Sequence, residues 1–277
     1  MRQDVKQQEF YLVNNNQIDQ KPGRSFDLTN YLELPRGVFT TFCTKFIKNS
    51  WYLCSVRLHF SRLLKNANAL GLKPLTEENK KSILSLLEER ARFYAQVSLA
   101  MRVRIVITPL ATEIFIDSLP PPWREKPSIT LLPITATRDT PEIKSTWAET
   151  SIHARAAAER TGYDEALLMN PSGGITEGAW STFCILSPTG ELFLPDESIL
   201  PSVTLEVIEA KRNAKRISIT KETLGNTSFT PLLLQSTSPI TPVQRIGDYQ
   251  YSAENPALSE LLSLFEDSEI EHSIKVS

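Results

Sequence analysis

The sequence is poor in the residues that usually bind metals or form disulfides. Its 277 residues include three cysteines and three histidines. Cys43, Cys54 and Cys184 are scattered and odd in number, a pattern typical of reduced thiols in a cytoplasmic protein. None of the cysteines has the spacing of a metal-ligand pair, and the histidines are too dispersed for a zinc site. We therefore expect no metal site and no disulfide framework.

The sequence also lacks long apolar runs and a large excess of one charge. No apolar segment approaches the roughly 20 residues that a membrane helix needs. The polar start, Met1-Arg-Gln-Asp, has no apolar stretch like that of a signal peptide. A formal net charge of −2 argues against nucleic acid or an anionic membrane as the main partner. The composition instead predicts a cytoplasmic globular protein with one large or two smaller domains.

Hydrophobic patterns indicate both strands and helices. Val38–Ile47 is rich in β-branched and aromatic residues, which favours a strand. Apolar residues recur with helical spacing from Leu58 to Leu70. Thr76, followed at once by two glutamates, is typical of the N-cap of a second helix. The fold class is therefore α+β.

A proline-rich segment suggests where the chain divides. Ser118–Pro127 contains four prolines, which stiffen the chain and remove amide donors. We therefore place a linker at residues 119–129, between an N-terminal domain of residues 1–118 and a C-terminal domain of residues 130–277.

The stretch from Glu142 to Leu186 carries the most informative chemistry. Lys144 precedes a predicted helix that ends at Gly162, and a predicted strand and turn lead to Glu177, 33 positions after the lysine. A lysine can act both as a nucleophile and as a general base, as it does in enzymes that bind pyridoxal phosphate. A carboxylate can face the protonated pyridine nitrogen of that cofactor. Lys144 and Glu177 are thus the central candidate pair.

Several segments together resemble the class IV aminotransferases, the fold-type IV pyridoxal-phosphate enzymes. They are Ile143-Lys-Ser-Thr146, Gly162–Asn170 and Gly174-Ile-Thr-Glu-Gly178. The family includes branched-chain aminotransferases, D-amino-acid transaminases and 4-amino-4-deoxychorismate lyases. The resemblance implies a two-domain fold like that of D-amino-acid aminotransferase, with a smaller N-terminal α/β domain. The larger C-terminal domain is a mixed, barrel-like β domain with helices.

The resemblance also implies a homodimer that binds a small-molecule amino substrate and the cofactor pyridoxal 5′-phosphate. Lys144 then carries the cofactor aldehyde, and Glu177 faces the ring nitrogen. His59-Phe-Ser-Arg-Leu63 is similar to the helix whose arginine, here Arg62, binds the phosphate. The remaining implied phosphate contacts are the segment ending in Val203 and Thr204, and a hydroxyl from Ser236 or Thr237.

Within the family, the early strand resembles that of the lyases. Phe39-Thr-Thr41 matches their Phe-Thr-Thr, which implies a substrate contact for Phe39 and a proton relay for Thr41. Arg104 matches a basic residue and is assigned to a substrate carboxylate. Thr108–Thr112 lacks the Arg-x-His of D-amino-acid enzymes, and Glu149 replaces the tyrosine of branched-chain enzymes. The expected function is 4-amino-4-deoxychorismate lyase, which releases pyruvate and p-aminobenzoate in folate synthesis.

Two alternatives stay open. The chain could be an amino-acid aminotransferase of the branched-chain or D-amino-acid type. It could also be a non-catalytic family member that acts as a binding protein, because three positions depart from the family pattern. Thr182, Ser202 and Leu205 stand where the family has asparagine, glycine and arginine.

Overall fold

The computed structural model describes residues 8–14, 17–22, 26, 29–119, 128–197, 199–252 and 254–276. The chain divides into two compact units. Unit 1 comprises Met1–Pro122, Lys144–Trp147 and Glu269–Ser277, and unit 2 comprises Trp123–Ile143 and Ala148–Ser268. This division assigns Lys144–Trp147 to the first unit, whereas the sequence analysis places them in the second domain. Pro120–Pro127 of the predicted linker lie outside the described residues, so the linker stays a prediction.

The described residues form sixteen strands and six α-helices. The strands are β1 Glu9–Asn14, β2 Gln17–Lys21, β3 Val38–Ile47, β4 Ser50–Leu53, β5 Met101–Ile107, β6 Thr112–Ser118, β7 Ile129–Thr135, β8 Glu165–Met169, β9 Ile175–Gly178, β10 Thr182–Leu186, β11 Leu192–Pro195, β12 Ala214–Ile217, β13 Thr230–Gln235, β14 Ser238–Ile246, β15 Tyr249–Gln250 and β16 Ile274–Val276. The helices are α1 Val56–Ala69, α2 Glu77–Gln96, α3 Glu149–Arg160, α4 Val203–Glu209, α5 Lys221–Leu224 and α6 Pro256–Glu271, and a 3₁₀ helix spans Thr29–Glu33.

Unit 1 is built on an antiparallel sheet with the strand order β16-β4-β3-β5-β6-β1-β2 among the described residues. The long strand β3 lies near its centre and pairs with β5 in register, so that Phe39 is opposite Val106 and Thr41 is opposite Arg104. Because side chains alternate between the faces of a strand, Phe39 and Thr41 share one face and Thr40 lies on the other.

Helices α1 and α2 belong to unit 1; α2 begins directly after the predicted cap Thr76, and α1 begins at Val56, two residues before the predicted apolar pattern. Thr76 caps α2: its side chain accepts from the amide of Asn79, and the Asn79 side chain accepts from the amide of Thr76. Helix α1 buries Leu63 and Ala67 of the predicted apolar stripe together with Phe60, whereas Leu58 and Leu70 are half-buried. The helix therefore presents the residues around His59 and Arg62 to the unit 1 sheet, since α1 contacts β3.

Unit 2 contains a mixed sheet with the path β12-β11-β10-β13-β14-β7-β8-β9, on which β15 pairs with β14, among the described residues. The pairs β7–β8, β7–β14 and β11–β12 are parallel. Helix α3 connects two of the parallel strands and contacts β7 and β8, burying Ala154 and Ala158 beside Ala166 and Leu168. This α+β arrangement confirms the predicted fold class.

Two expectations from composition concern the thiols and membranes. Cys43, Cys54 and Cys184 are free and buried. No group of ligand side chains in the described residues could hold a metal ion. Among the described helices, none combines the length and apolar character that crossing a membrane requires.

Candidate active site

Lys144 lies in a short extended segment that is bonded to the start of β3 in unit 1. The amide of Phe39 donates to the carbonyl oxygen of Lys144 at 3.0 Å, and the amide of Thr146 donates to the carbonyl oxygen of Gly37 at 2.9 Å. The Lys144 amide donates to Oδ1 of Asn66 on α1 at 2.9 Å. Both backbone polar groups of Lys144 thus have defined partners, which fixes where its side chain starts.

Gly37, which bonds the lysine segment, lies very close to β5. A β-carbon at Gly37 would lie 2.3 Å from the carbonyl oxygen of Ile107 on β5, so no larger residue fits without moving backbone. The Gly37 amide donates to Oγ1 of Thr146 at 2.8 Å, and that hydroxyl donates to the Pro35 carbonyl at 2.9 Å. The Thr146 side chain therefore locks the lysine segment onto the chain before β3.

A series of ring contacts leads from Lys144 to Arg104 within unit 1. Nζ of Lys144 lies 4.8 Å from the ring centroid of Phe39, and the Phe39 and Tyr31 centroids are 4.4 Å apart. Cζ of Arg104 lies 5.8 Å from the Tyr31 centroid and 4.6 Å from that of Phe26. Arg104 is only 7% exposed. The structure thus places a buried cation and aromatic walls on the same side as the lysine.

The three residues predicted to lie near the substrate share one face of the unit 1 sheet. Thr41 is half-buried and lies directly opposite Arg104 on β5. Phe39 is two residues before Thr41, so its side chain points to the same side. The structure therefore brings Phe39, Thr41 and Arg104 together with Lys144.

Arg62 lies on the helix face of the same sheet. Its Nη2 donates to Oγ1 of Thr40 at 3.3 Å, and that hydroxyl is 2.8 Å from Nδ1 of His59. Burial, then the nearby cations Arg62, Lys45 and Lys144, lower the pKa of His59 well below its usual value of 6.5. The imidazole is consequently neutral near pH 7.

Glu177 lies on β9 in unit 2, where it forms a buried ion pair. Oε1 of Glu177 accepts from Nη1 of Arg138 at 2.9 Å, and the two side chains are 6% and 15% exposed. The same guanidinium donates to the carbonyl oxygens of Pro141 at 3.2 Å and Ile143 at 2.8 Å. Oε2 of Glu177 accepts from the amide of Leu200 at 3.4 Å. The carboxylate is therefore oriented from two sides.

The segment after Leu200 leads into α4 of unit 2. Ser202 is the N-cap of this helix, and its hydroxyl accepts from the amide of Leu205. Its φ of −90° and ψ of 129° are extended values that any residue adopts, so this position does not require the family's glycine. Val203 and Thr204 are the first helical residues, whose amides have no acceptor within a helix. Both are buried.

Ser236 and Thr237 form the two-residue turn between β13 and β14 in unit 2. Both are half-buried. The next hydroxyl, that of Ser238, is hydrogen-bonded at 2.8 Å to Thr241. The predicted hydroxyl pair is thus at a strand end, where side chains can reach a ligand.

The donor set fits pyridoxal 5′-phosphate. In unit 1, an amine on a fixed backbone suits the aldehyde and an arginine suits the phosphate. In unit 2, a buried carboxylate suits the protonated ring nitrogen and helix N-terminal amides suit a phosphate. The sequence analysis missed three residues that orient this set, namely Arg138, Asn66 and Thr40. Asn66 was detectable, since it lies one turn after Arg62 on the same helix face. Arg138 gave no signal, because it lies outside the quoted motifs and Glu177, the acid it pairs with, is 39 positions away.

The model of the amino-transferase class IV family matches residues 37–246 of the chain. The chain therefore belongs to the class IV aminotransferase family. It is an enzyme of that family, and its cofactor is pyridoxal 5′-phosphate. Comparison with curated protein sequences gives no significant match.

Solved structures of similar fold come from several organisms. A branched-chain aminotransferase from Thermoproteus uzoniensis with norvaline is 19% identical, with a TM-score of 0.76 over 97% of this chain and 99% of that one. A hypothetical aminotransferase from Mycobacterium tuberculosis in a PLP-bound form is 14% identical, with a TM-score of 0.76 over 96% and 99%. A provisionally named 4-amino-4-deoxychorismate lyase from Legionella pneumophila is 18% identical, with a TM-score of 0.67 over 90% and 97%. At these identities the similarity concerns the fold.

Proposed function

We propose that this enzyme is a 4-amino-4-deoxychorismate lyase, which converts its substrate into p-aminobenzoate and pyruvate. The observation that supports this most directly is the setting of Arg104. Its guanidinium is buried against the rings of Phe26 and Tyr31, and the latter ring contacts Phe39 beside the Lys144 amine. A cation between aromatic walls suits a flat ring that carries carboxylates.

In this proposal the chain's own groups divide the work. Pyridoxal 5′-phosphate supplies an aldehyde for the substrate amine and a pyridinium ring that withdraws electrons. Nζ of Lys144 holds the aldehyde between turnovers and accepts the proton from the substrate Cα. Glu177, oriented by Arg138, accepts a hydrogen bond from the ring nitrogen.

The remaining residues bind and relay. Arg62 binds the cofactor phosphate with the amides of Val203 and Thr204 and a hydroxyl of Ser236 or Thr237. Arg104 binds a substrate carboxylate, and Phe39 packs on the substrate ring. Thr41, opposite Arg104 on the same face, relays a proton to the departing pyruvate carbon.

The decisive experiment supplies the loaded enzyme with 4-amino-4-deoxychorismate and no keto acid. We expect pyruvate and p-aminobenzoate in equal amounts. A coupled lactate dehydrogenase assay measures the pyruvate, and fluorescence measures the p-aminobenzoate. Lys144→Ala is expected to abolish release and the visible absorbance of the bound cofactor. Arg104→Gln is expected to raise KM about tenfold or more, since a charge-assisted hydrogen bond is lost.

The aminotransferase alternative predicts a different result. Such an enzyme consumes branched-chain or D-amino acids only when a keto acid is present, and it forms no p-aminobenzoate. Glutamate formed from 2-oxoglutarate, without pyruvate release from the chorismate derivative, would overturn the lyase proposal. A visible band that survives in Lys144→Ala would overturn the assignment of the lysine.

Two further parts of the proposal concern the protein's surroundings. We propose that the protein is a homodimer. Light scattering during size-exclusion chromatography measures its molar mass in solution, and a value equal to that of one chain would contradict the proposal. We also propose a cytoplasmic location, for which the three free, buried thiols give support.

A further inference from the structure

Thr40 and Thr41 are adjacent on β3 but have different surroundings. Thr41 is half-buried on the face that carries Phe39. Thr40 is fully buried on the opposite face, against α1. His59 and Arg62 are three residues apart on α1 and therefore point to the same side of the helix. Both reach the single hydroxyl of Thr40.

The chemistry of the arginine fixes the direction of one of these hydrogen bonds, and we assign the other from it. An arginine side chain has only donors, so the Thr40 oxygen accepts from Nη2 of Arg62. The Thr40 proton is then available for Nδ1 of His59, 2.8 Å away. This requires a neutral imidazole that carries its proton on Nε2, and burial together with nearby cations lowers the pKa of His59 accordingly.

We propose that Thr40 and His59 are positioning residues that hold the Arg62 guanidinium ready for the phosphate of the cofactor. His59 turns the Thr40 hydroxyl so that an oxygen lone pair faces Arg62. The arginine then keeps one orientation before the ligand arrives, so less conformational freedom is lost on binding. The inference rests on the proposed role of Arg62 as a phosphate-binding residue.

The neighbouring contacts support a role in positioning. Asn66, one turn after Arg62 on α1, accepts from the Lys144 amide at 2.9 Å. Thr40 follows Phe39, whose amide donates to the Lys144 carbonyl. Arg62 and Thr40 therefore lie on the same helix and strand that bond the backbone of the lysine.

The test compares the affinity of the unloaded protein for pyridoxal 5′-phosphate and for pyridoxal, which lacks the phosphate. Absorbance titration gives both dissociation constants. Thr40→Val keeps the side-chain shape but removes the hydroxyl. We expect it to weaken binding of the phosphorylated form about tenfold, with pyridoxal affinity unchanged, because a hydrogen bond to a charged group is lost.

Three further variants sharpen the comparison. His59→Leu removes the acceptor and should reproduce the Thr40→Val effect, which provides an independent test if that variant does not fold. His59→Asn keeps an acceptor near the Nδ1 position and should restore most of the affinity. Thr44→Val is the matched control, since Thr44 is also a buried threonine of β3 but accepts from the Met101 amide.

Arg62→Gln separates the two levels of inference. The quantity compared is the affinity for pyridoxal 5′-phosphate divided by the affinity for pyridoxal. If Arg62→Gln lowers this ratio while Thr40→Val and His59→Leu leave it at the wild-type value, the positioning role is wrong and the arginine assignment stands. If Arg62→Gln itself leaves the ratio unchanged, the phosphate-binding role and the positioning role both fall. A Thr44→Val effect as large as that of Thr40→Val would also overturn the positioning role.

Discussion

Arg138 donates to Oε1 of Glu177 at 2.9 Å, and the same guanidinium holds the carbonyl oxygens of Pro141 and Ile143. One side chain therefore orients the carboxylate and closes the turn that precedes Lys144 in the chain. Because guanidinium geometry allows several hydrogen bonds in one plane, lysine cannot replace all of these contacts. The orientation of Glu177, the carboxylate predicted to face the cofactor ring, therefore depends on Arg138, which lies outside the sequence motifs that resemble the family.

Removing Arg138 should be costly for stability. Arg138→Met leaves the buried Glu177 carboxylate without its cation, and we expect a loss of about 3–5 kcal/mol in the free energy of unfolding. Chemical denaturation measures this. Arg155→Met is the matched control, because Arg155 pairs with Glu159 on the exposed side of α3 and should cost about 1 kcal/mol or less. Equal losses in the two variants would contradict a structural role for the Arg138 pair.

Gly37→Ala tests the close approach between Gly37, which bonds the lysine segment, and β5. The added carbon would lie 2.3 Å from the Ile107 carbonyl, so backbone must move, and we expect a loss of about 2–3 kcal/mol. Gly71→Ala serves as comparison, since Gly71 has a φ of +66° and no atom near the added carbon. It should cost about 1 kcal/mol through strain alone. A smaller loss for Gly37→Ala than for Gly71→Ala is incompatible with this packing.

Local signals explain why much of the fold could be predicted. Thr76 and its two glutamates predict a helix start because capping involves neighbouring residues only. Val38–Ile47 predicts β3 because its composition is that of a strand. By contrast, β16 at Ile274–Val276 is three residues long and pairs with β4, more than 200 positions earlier. No local pattern indicates such a partner, and Gln17–Lys21 likewise form β2 through pairing with β1.

The candidate site shows the same limit. Lys144, Glu177 and Arg62 could be predicted because the motifs around them are continuous in sequence. Their orienting partners could not, since the contact of Thr40 with Arg62 spans 22 positions and that of Arg138 with Glu177 spans 39. The roles of the predicted site residues stay predictions, and the variants Lys144→Ala, Arg62→Gln and Arg104→Gln test three of them.

The stability of the protein should depend on pH through His59. The folded state keeps the pKa of His59 well below 6.5, whereas the unfolded state binds a proton near that value. The contribution of His59 to the free energy of unfolding is therefore fully present above pH 6.5. It falls as the pH drops from 6.5 toward the pKa of the folded state. The expected slope is up to about 1.4 kcal/mol per pH unit.

Denaturation at a series of pH values measures this slope. His59→Gln should remove its share of the slope, because glutamine does not titrate. His153→Gln replaces an exposed histidine of α3 and should retain the wild-type slope. An unchanged slope in His59→Gln means that another group causes the acid sensitivity.

Lys45 and Glu269 form a buried pair in unit 1, with both Glu269 oxygens 2.9 Å from the ammonium. Burial is the largest single influence on the pKa of Lys45 and lowers it. The Glu269 charge, the nearby Cys54 and Cys43, and the hydrogen bond to Glu269 together outweigh burial and raise that pKa. Glu269→Leu leaves the ammonium uncompensated and should cost about 3–5 kcal/mol. Adding Lys45→Met should recover most of the loss, which a double-mutant cycle measures. Additive losses in the double variant would show that the two residues are not coupled.

The hydrogen bonds between Lys144–Thr146 and the start of β3 have a consequence for gene engineering. A chimaera joined near residue 119 takes Gly37 from one parent and Thr146 from the other, so these two positions must be compatible in every hybrid. A fragment that stops at residue 119 also loses β16, the edge strand next to β4. Recombination libraries of this enzyme should therefore exchange residues 35–39 and 144–147 as one block.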